Sequence, residues 1–239
     1  MMIVHSTMHS SPNFCKVRRF TASPLQTPAG PSEVGETPFS VTSNAHVLHT
    51  GSMATDYKFG TPEPEDREWI YRDVWATEET TGGGSRLVIA PAQGQTDLLA
   101  AFLQDMTGPF WVLYVLVIPR GSGEPGRYQS PEPQTESAVG TFLNEFSGFL
   151  ETDGRHNLWI ASEFGSEMLI YDRHNVIYAY GPLASWRLAL TAKGFNEVPE
   201  IRFPSPHSHH YHQSLDSEED RLLNYWDWHR TPLNTSDEA

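Results

Sequence analysis

Four histidines stand close together at His207, His209, His210 and His212. Neutral imidazole is a frequent ligand for zinc and related ions, and clustered histidine is a composition that metal sites use. The spacing limits what this cluster can do. On an extended chain successive side chains alternate, so His207 and His209 face one way and His210 and His212 the other. On a helix the pairs become His207/His210 and His209/His212. Neither conformation converges all four, so a metal site needs two of them plus outside ligands, for which Asp216, Glu219 and His174 are candidates. The alternative is a polar loop between Pro206 and the last helix, with one or two imidazoles hydrogen-bonded.

A second group of chemical residues lies in Tyr171-Asp172-Arg173-His174-Asn175, followed by Tyr178 and Tyr180. Tyrosines beside Arg173 and His174 have the composition of a binding surface. Asp172 and Asn175 are equally what a tight turn requires. A third group is Gly121-Ser122-Gly123-Glu124-Pro125-Gly126, flanked by Arg120 and Arg127. It matches the dinucleotide fingerprint by letter, but that motif needs a helix opening at the glycines. Pro125, Pro131 and Pro133 block such a helix. What remains is a glycine loop whose amides, with Arg120 and Arg127, could meet a small anion.

Several chemistries are excluded. The chain has no G-x-S-x-G, H-E-x-x-H, Walker loop or calcium loop. The only cysteine, Cys15, precedes the aromatic-rich part, which leaves that part without thiolate zinc sites, disulfides or a cysteine nucleophile. Glu163 and Asp172 could pair for acid–base work, but nothing in the spacing fixes their separation. No cofactor is expected.

The elements that must position these residues can be read from periodicity. Residues 68–76 and 86–90 read as a hairpin around Gly82-Gly83-Gly84. Thr96 opens a helix carrying Leu98, Leu99, Phe102, Leu103 and Met106. Phe110 to Ile118 is apolar on both faces, as a central strand is. Residues 119–134 are too rich in Gly and Pro to be regular. From Thr135 a helix resumes with Val139, Phe142, Leu143, Phe146, Phe149 and Leu150 in one stripe. Strands at 156–162, 167–171 and 176–180, joined by short turns, form a meander. A helix over 183–193, a strand over 200–203 and a helix opened by an Asp216/Glu219 capping box complete the order. The expected fold is α+β (mixed α/β): one mixed, largely antiparallel sheet with a three-strand meander and about four helices packed on it.

Charge and aromatic content divide the chain near residue 53. All seven Trp and all nine Tyr lie beyond it. Lys16, Arg18 and Arg19 against Glu33 and Glu36 leave +1 before it, so of the net −14 the remainder carries −15. Residues 1–53, with five prolines and few aromatics, read as a disordered tail. Residues 54–233 read as one globular domain, and 234–239 as a disordered C-terminus. Met53 is a second candidate translation start. No apolar stretch near Met1 has secretory character, and no run approaches the roughly 20 residues of a membrane span. A cytoplasmic protein that does not meet membrane is expected. The acidic balance argues against nucleic acid. From the −15 charge, the aromatic strands and the missing catalytic motifs, the expected role is an acidic binding module for a basic protein partner. The rivals are a metal-dependent hydrolase or other enzyme using His207 to His212 and a small-anion site at Arg120 and Arg127.

Overall fold

The structure, a computed structural model, describes residues 56–62 and 66–237. The expected tail, residues 1–53, lies outside the described residues, as do 238 and 239. In chain order the strands and helices are β1 (Phe59–Thr61), β2 (Arg67–Glu68), β3 (Val74–Glu79), β4 (Ser85–Ala90), α1 (Gln95–Leu103), β5 (Phe110–Leu116) and β6 (Gly126–Gln129). Next come α2 (Glu136–Glu145), α3 (Ser147–Thr152), β7 (His156–Ser162), β8 (Met168–Tyr171), β9 (Ile177–Tyr180) and α4 (Leu183–Ala192). The chain continues through β10 (Asn196–Glu197), β11 (Ser208–His209), α5 (Asp216–Leu223) and β12 (His229–Thr231).

Nine strands form the main sheet in the order β10-β3-β4-β9-β8-β7-β5-β6-β12. Only β10 and β3 run parallel; the other neighbours are antiparallel. The β7-β8-β9 meander sits within it, with Ile160 opposite Leu169 and Leu169 opposite Ala179. This is the expected α+β, largely antiparallel class. Among the described residues there are five helices, where about four were expected, and a second sheet of three short strands, β11-β1-β2.

Strand alternation divides the core between the two faces of the sheet. Val112, Tyr114 and Leu116 of β5 and Leu87 and Ile89 of β4 turn to the helical side. There they meet Leu98, Leu99, Phe102, Phe142, Phe146, Trp186 and Leu222, drawn from α1, α2, α4 and α5 and the α2–α3 junction. Each fully buried side chain of this size contributes about 1.5–3 kcal/mol relative to exposure. The next residues along the same strands face the other way. Val88 and Ala90 join Phe59, Tyr71, Ala76, Val176, Tyr178 and Ile201 in a second apolar cluster. Leu113, Val115 and Val117 form a third, beside Trp159 and Leu233.

Some elements differ from expectation for local reasons. Four residues of the 119–134 segment form β6, between Pro125 and Pro131, paired to both β5 and β12. Gly126 suits the close approach of β12: a Cβ there would lie 2.9 Å from Nε of Arg230 and 3.0 Å from the Thr231 carbonyl. No strand forms over 200–203; Ile201 anchors that segment by burial in the second cluster instead. The first long strand begins at Val74, because Asp73 takes a positive φ of 51°, with its carboxylate accepting from the Ala92 amide at 2.8 Å. The N-cap of α5 is Leu215, with no side-chain cap; Asp216 and Glu219 are engaged with arginine instead. Thr235–Asp237 closes the described chain as a 3-10 turn, tied back by Asp237 to Arg127 at 2.6 Å.

Candidate metal centre

The turn between β8 and β9 is built by one carboxylate. Oδ1 of Asp172 accepts from the amides of His174 at 2.9 Å and Val176 at 3.1 Å. Asn175 takes the left-handed conformation, φ 61°, and its side-chain oxygen accepts from the Tyr171 hydroxyl at 2.6 Å. Asn tolerates that backbone region better than most residues. The other carboxylate oxygen, Oδ2, lies 2.9 Å from Nδ1 of His174. A carboxylate can only accept, so Nδ1 carries the proton and Nε2 points outward from the pair.

His207 and His209 approach from the small sheet. His209 lies in β11, paired opposite Phe59 of β1. His207 precedes it by two residues and shares its face, as the extended spacing requires. Nδ1 of His207 lies 3.3 Å from the Pro204 carbonyl, which fixes the proton there and leaves Nε2 as a lone-pair donor. Ligand nitrogens of His174, His207 and His209 all lie within 4.8 Å of one another. The rings meet edge to face, with centroids 4.8 Å apart for His174/His209 and 5.4 Å for the other two pairs. A tetrahedral ion with bonds of about 2.0–2.1 Å separates its ligands by roughly 3.3 Å. Modest ring rotation closes the remaining gap.

The surroundings are apolar. Phe59 is fully buried and its ring lies 5.2 to 5.5 Å from all three imidazoles; Phe203 packs edge-on against His174. His209 is the most demanding member. Both of its ring nitrogens are buried, and among the described residues neither has a hydrogen-bond partner. Burial, reinforced by the fields of His174 and Arg173, pushes its pKa down to about 3. Burial likewise lowers the pKa of His207, with His174 adding to the effect. Burial opposes ionisation of Asp172, but its pairing with His174, the Val176 amide and the charge of Lys58 together hold its carboxyl below the usual range. The result is that His207 and His209 are disposed to remain neutral donors, while a carboxylate stands behind the ring of His174 and a carbonyl behind that of His207. Carboxylate–histidine and carbonyl–histidine pairs are the supports that orient metal ligands. Three imidazoles suit zinc, copper, nickel or cobalt rather than calcium or magnesium, which take oxygen.

The remaining sequence candidates lie elsewhere. His210 and His212 occupy the opposite face, their rings stacked at 6.4 Å. His210 pairs with Asp66 at 3.2 Å and with the Ser208 hydroxyl at 3.0 Å, and its ring packs on Tyr57. His212 pairs with Asp56 at 3.3 Å and reaches the Tyr57 carbonyl. Asp216 and Glu219 serve Arg155, whose fully buried guanidinium also binds Asp153. Tyr178 and Tyr180 hold Arg86, the first by its ring face at 4.4 Å and the second by accepting at its hydroxyl at 2.8 Å. The Arg173 amide donates to the Asn157 side chain at 3.0 Å.

The glycine loop meets anions supplied by the chain itself. The amides of Arg120 and Gly121 donate to Glu219, and that of Ser122 donates to Asp220. The Arg120 side chain pairs with Asp216 at 3.3 Å, and Arg127 pairs with Asp237 and lies over Trp159.

The chain matches no protein-family model, no curated protein and no solved structure.

Proposed function

We propose that this chain is a transition-metal protein in which His174, His207 and His209 hold one divalent ion of the zinc class. The observation that carries the reading is His209. Burying a ring nitrogen with no partner costs about 1–3 kcal/mol, and an ion held between the imidazoles recovers that energy for the one His209 nitrogen that ligates it. Asp172 and the Pro204 carbonyl orient the two neighbouring rings from behind. Among the described residues no fourth ligand joins the set. Three protein ligands with a position left open is the arrangement of catalytic rather than purely structural sites.

When bound, an ion of this class acts as a Lewis acid, so metal-assisted hydrolysis is the reaction class this centre supports. The chain's own contribution is to disfavour protonation of His207 and His209 by burial, keep water from the ring nitrogens of His209 and wall the site with Phe59 and Phe203. The charge-based reading, an acidic module for a basic partner, rests on the −15 balance and adds no further site.

The direct test is elemental analysis of untagged full-length protein, with zinc titration calorimetry on the chelator-stripped form. One equivalent is expected, abolished in His209→Ala and sharply weakened in His207→Ala. Unchanged zinc binding in His209→Ala, or no stoichiometric metal in the wild type, overturns the reading.

A further inference from the structure

We infer, building on the metal reading above, that the ion clasps the small sheet against the main sheet, and that its removal lifts this cover from an apolar sheet face. The ligands come from both sides of that junction. His174 belongs to the β8–β9 turn of the main sheet, whereas His209 lies in β11 and His207 just before it. An ion on all three therefore links two parts that are otherwise joined by side-chain packing and by a few hydrogen bonds at Lys58 and His210.

The small sheet is slight. β1 meets β11 through two residue pairs, Phe59 with His209 and Gly60 with Ser208. It meets β2 through two more, Gly60 with Glu68 and Thr61 with Arg67. Sheets of this size are marginal unless they pack on something else. Docking here depends on Phe59, whose ring is the floor beneath all three imidazoles. Without an ion, the same docking buries the unpartnered nitrogens of His209. With one, one of those nitrogens gains a bond that the docked arrangement provides. That is the differential interaction a ligand needs in order to shift an equilibrium between two states.

The surface under the cover is defined. Ala76 of β3, Val88 and Ala90 of β4, and Tyr178 of β9 face it from the main sheet, and Phe59, Tyr71 and Ile201 lie against them. The opening has a hinge. At the start of β1, Nζ of Lys58 donates to the Leu150 carbonyl at 2.9 Å, and the His210 amide donates to the Lys58 carbonyl at 3.1 Å. Gly154 closes the same junction, donating to the His210 carbonyl; a Cβ on it would fall 2.8 Å from the Lys58 carbonyl. These ties remain when the ion leaves, so residues 59–61, 66–69 and 204–209 move while Lys58 and His210 stay in place.

The test is hydrogen exchange on the full chain, chelator-stripped and zinc-loaded, with calorimetry on the same samples. Zinc should slow exchange of the amides over residues 59–61 and 67–69 by about tenfold or more and leave Val112 to Leu116 unchanged. His174→Gln, which keeps the small-sheet histidines but removes the main-sheet ligand, should abolish that protection. One-to-one zinc binding with no change at residues 59–69 overturns the clasp and leaves the metal reading standing. Protection that persists in His174→Gln also overturns it, because the ion then does not bridge. Absence of zinc binding removes the metal reading itself, and the clasp with it.

Discussion

Oδ2 of Asp172 lies 2.9 Å from Nδ1 of His174, while Oδ1 of the same carboxylate accepts from two turn amides. One side chain thus shapes the turn and sets the tautomer of the imidazole that the turn presents. Replacing Asp172 with Asn keeps an oxygen for the amides but removes the charge behind the ring. Losses of such supporting groups cost about 10- to 100-fold in metal affinity. Asp172→Asn should therefore remain folded by circular dichroism and bind zinc at least tenfold more weakly. Wild-type affinity in that variant would sever the proposed link between turn and metal.

Stability should depend on pH through Lys58. Its amine is fully buried, with the Leu150 carbonyl as its hydrogen-bond acceptor and the Tyr171 ring 3.7 Å away. Burial pushes its pKa down to about 7, against the opposing pull of Asp172, Asp153 and Glu151. The unfolded chain keeps the ordinary value, near 10.4, and so binds more protons than the native state between those limits. Stability from this group therefore rises with pH over that window, by up to about 1.4 kcal/mol per unit. Tyrosines such as Tyr114 and Tyr171, whose pKa values burial raises, act oppositely only above about pH 10. Urea unfolding of wild type and Lys58→Met from pH 7 to 9.5 should show the variant's relative advantage shrinking as pH rises. A flat difference would mean that Lys58 is not desolvated in solution.

Arg155 makes a separate prediction about what fastens α5. Its guanidinium binds Asp153 at 2.7 Å and Glu219 at 2.6 Å, all three side chains fully buried, and it donates to the His212 carbonyl. Removing the cation leaves two buried carboxylates without it, which costs about 3–5 kcal/mol. Arg155→Met should lower the urea midpoint accordingly. Adding Asp153→Asn and Glu219→Gln should recover part of the loss, because the stranded charges disappear. A single variant within 1 kcal/mol of wild type would argue that α5 docks by Leu222 and its apolar neighbours alone.

The legible parts of this protein were those carried by local pattern. The alternation of His207 and His209 against His210 and His212 divides the cluster as it is found, because β11 is extended. The meander was readable because Phe164-Gly165-Ser166 and Asp172 to Asn175 are too short for anything but tight turns. What was hidden depends on partners far apart in sequence. Phe59 lies in a strand of three residues, too short for periodicity, yet it underlies the whole site. The Asp216/Glu219 spacing resembles a cap, but Arg155 and the loop amides at Arg120 and Gly121 claim those carboxylates from about 60 and 100 residues away. The β6 strand was masked by flanking prolines, since its pairing with β12 comes only from the end of the chain.

Metal selectivity gives the last prediction. The three donors are imidazole nitrogens, which favour zinc, nickel, cobalt and copper and offer nothing to calcium or magnesium. An ion that binds only the folded state stabilises it by mass action, about 2.7 kcal/mol when present at 100 times its dissociation constant. For a domain of this size each kcal/mol moves the melting temperature by about 2–4 °C, so saturating zinc should raise it by about 5–10 °C over the chelated protein. Millimolar magnesium or calcium should leave it unchanged. The effect should vanish in His209→Ala but survive in His210→Ala and His212→Ala, whose rings pair with Asp66 and Asp56 on the opposite face. Equal loss in all three histidine variants would point to loose binding along the 207–212 segment, and would remove His174 from the site.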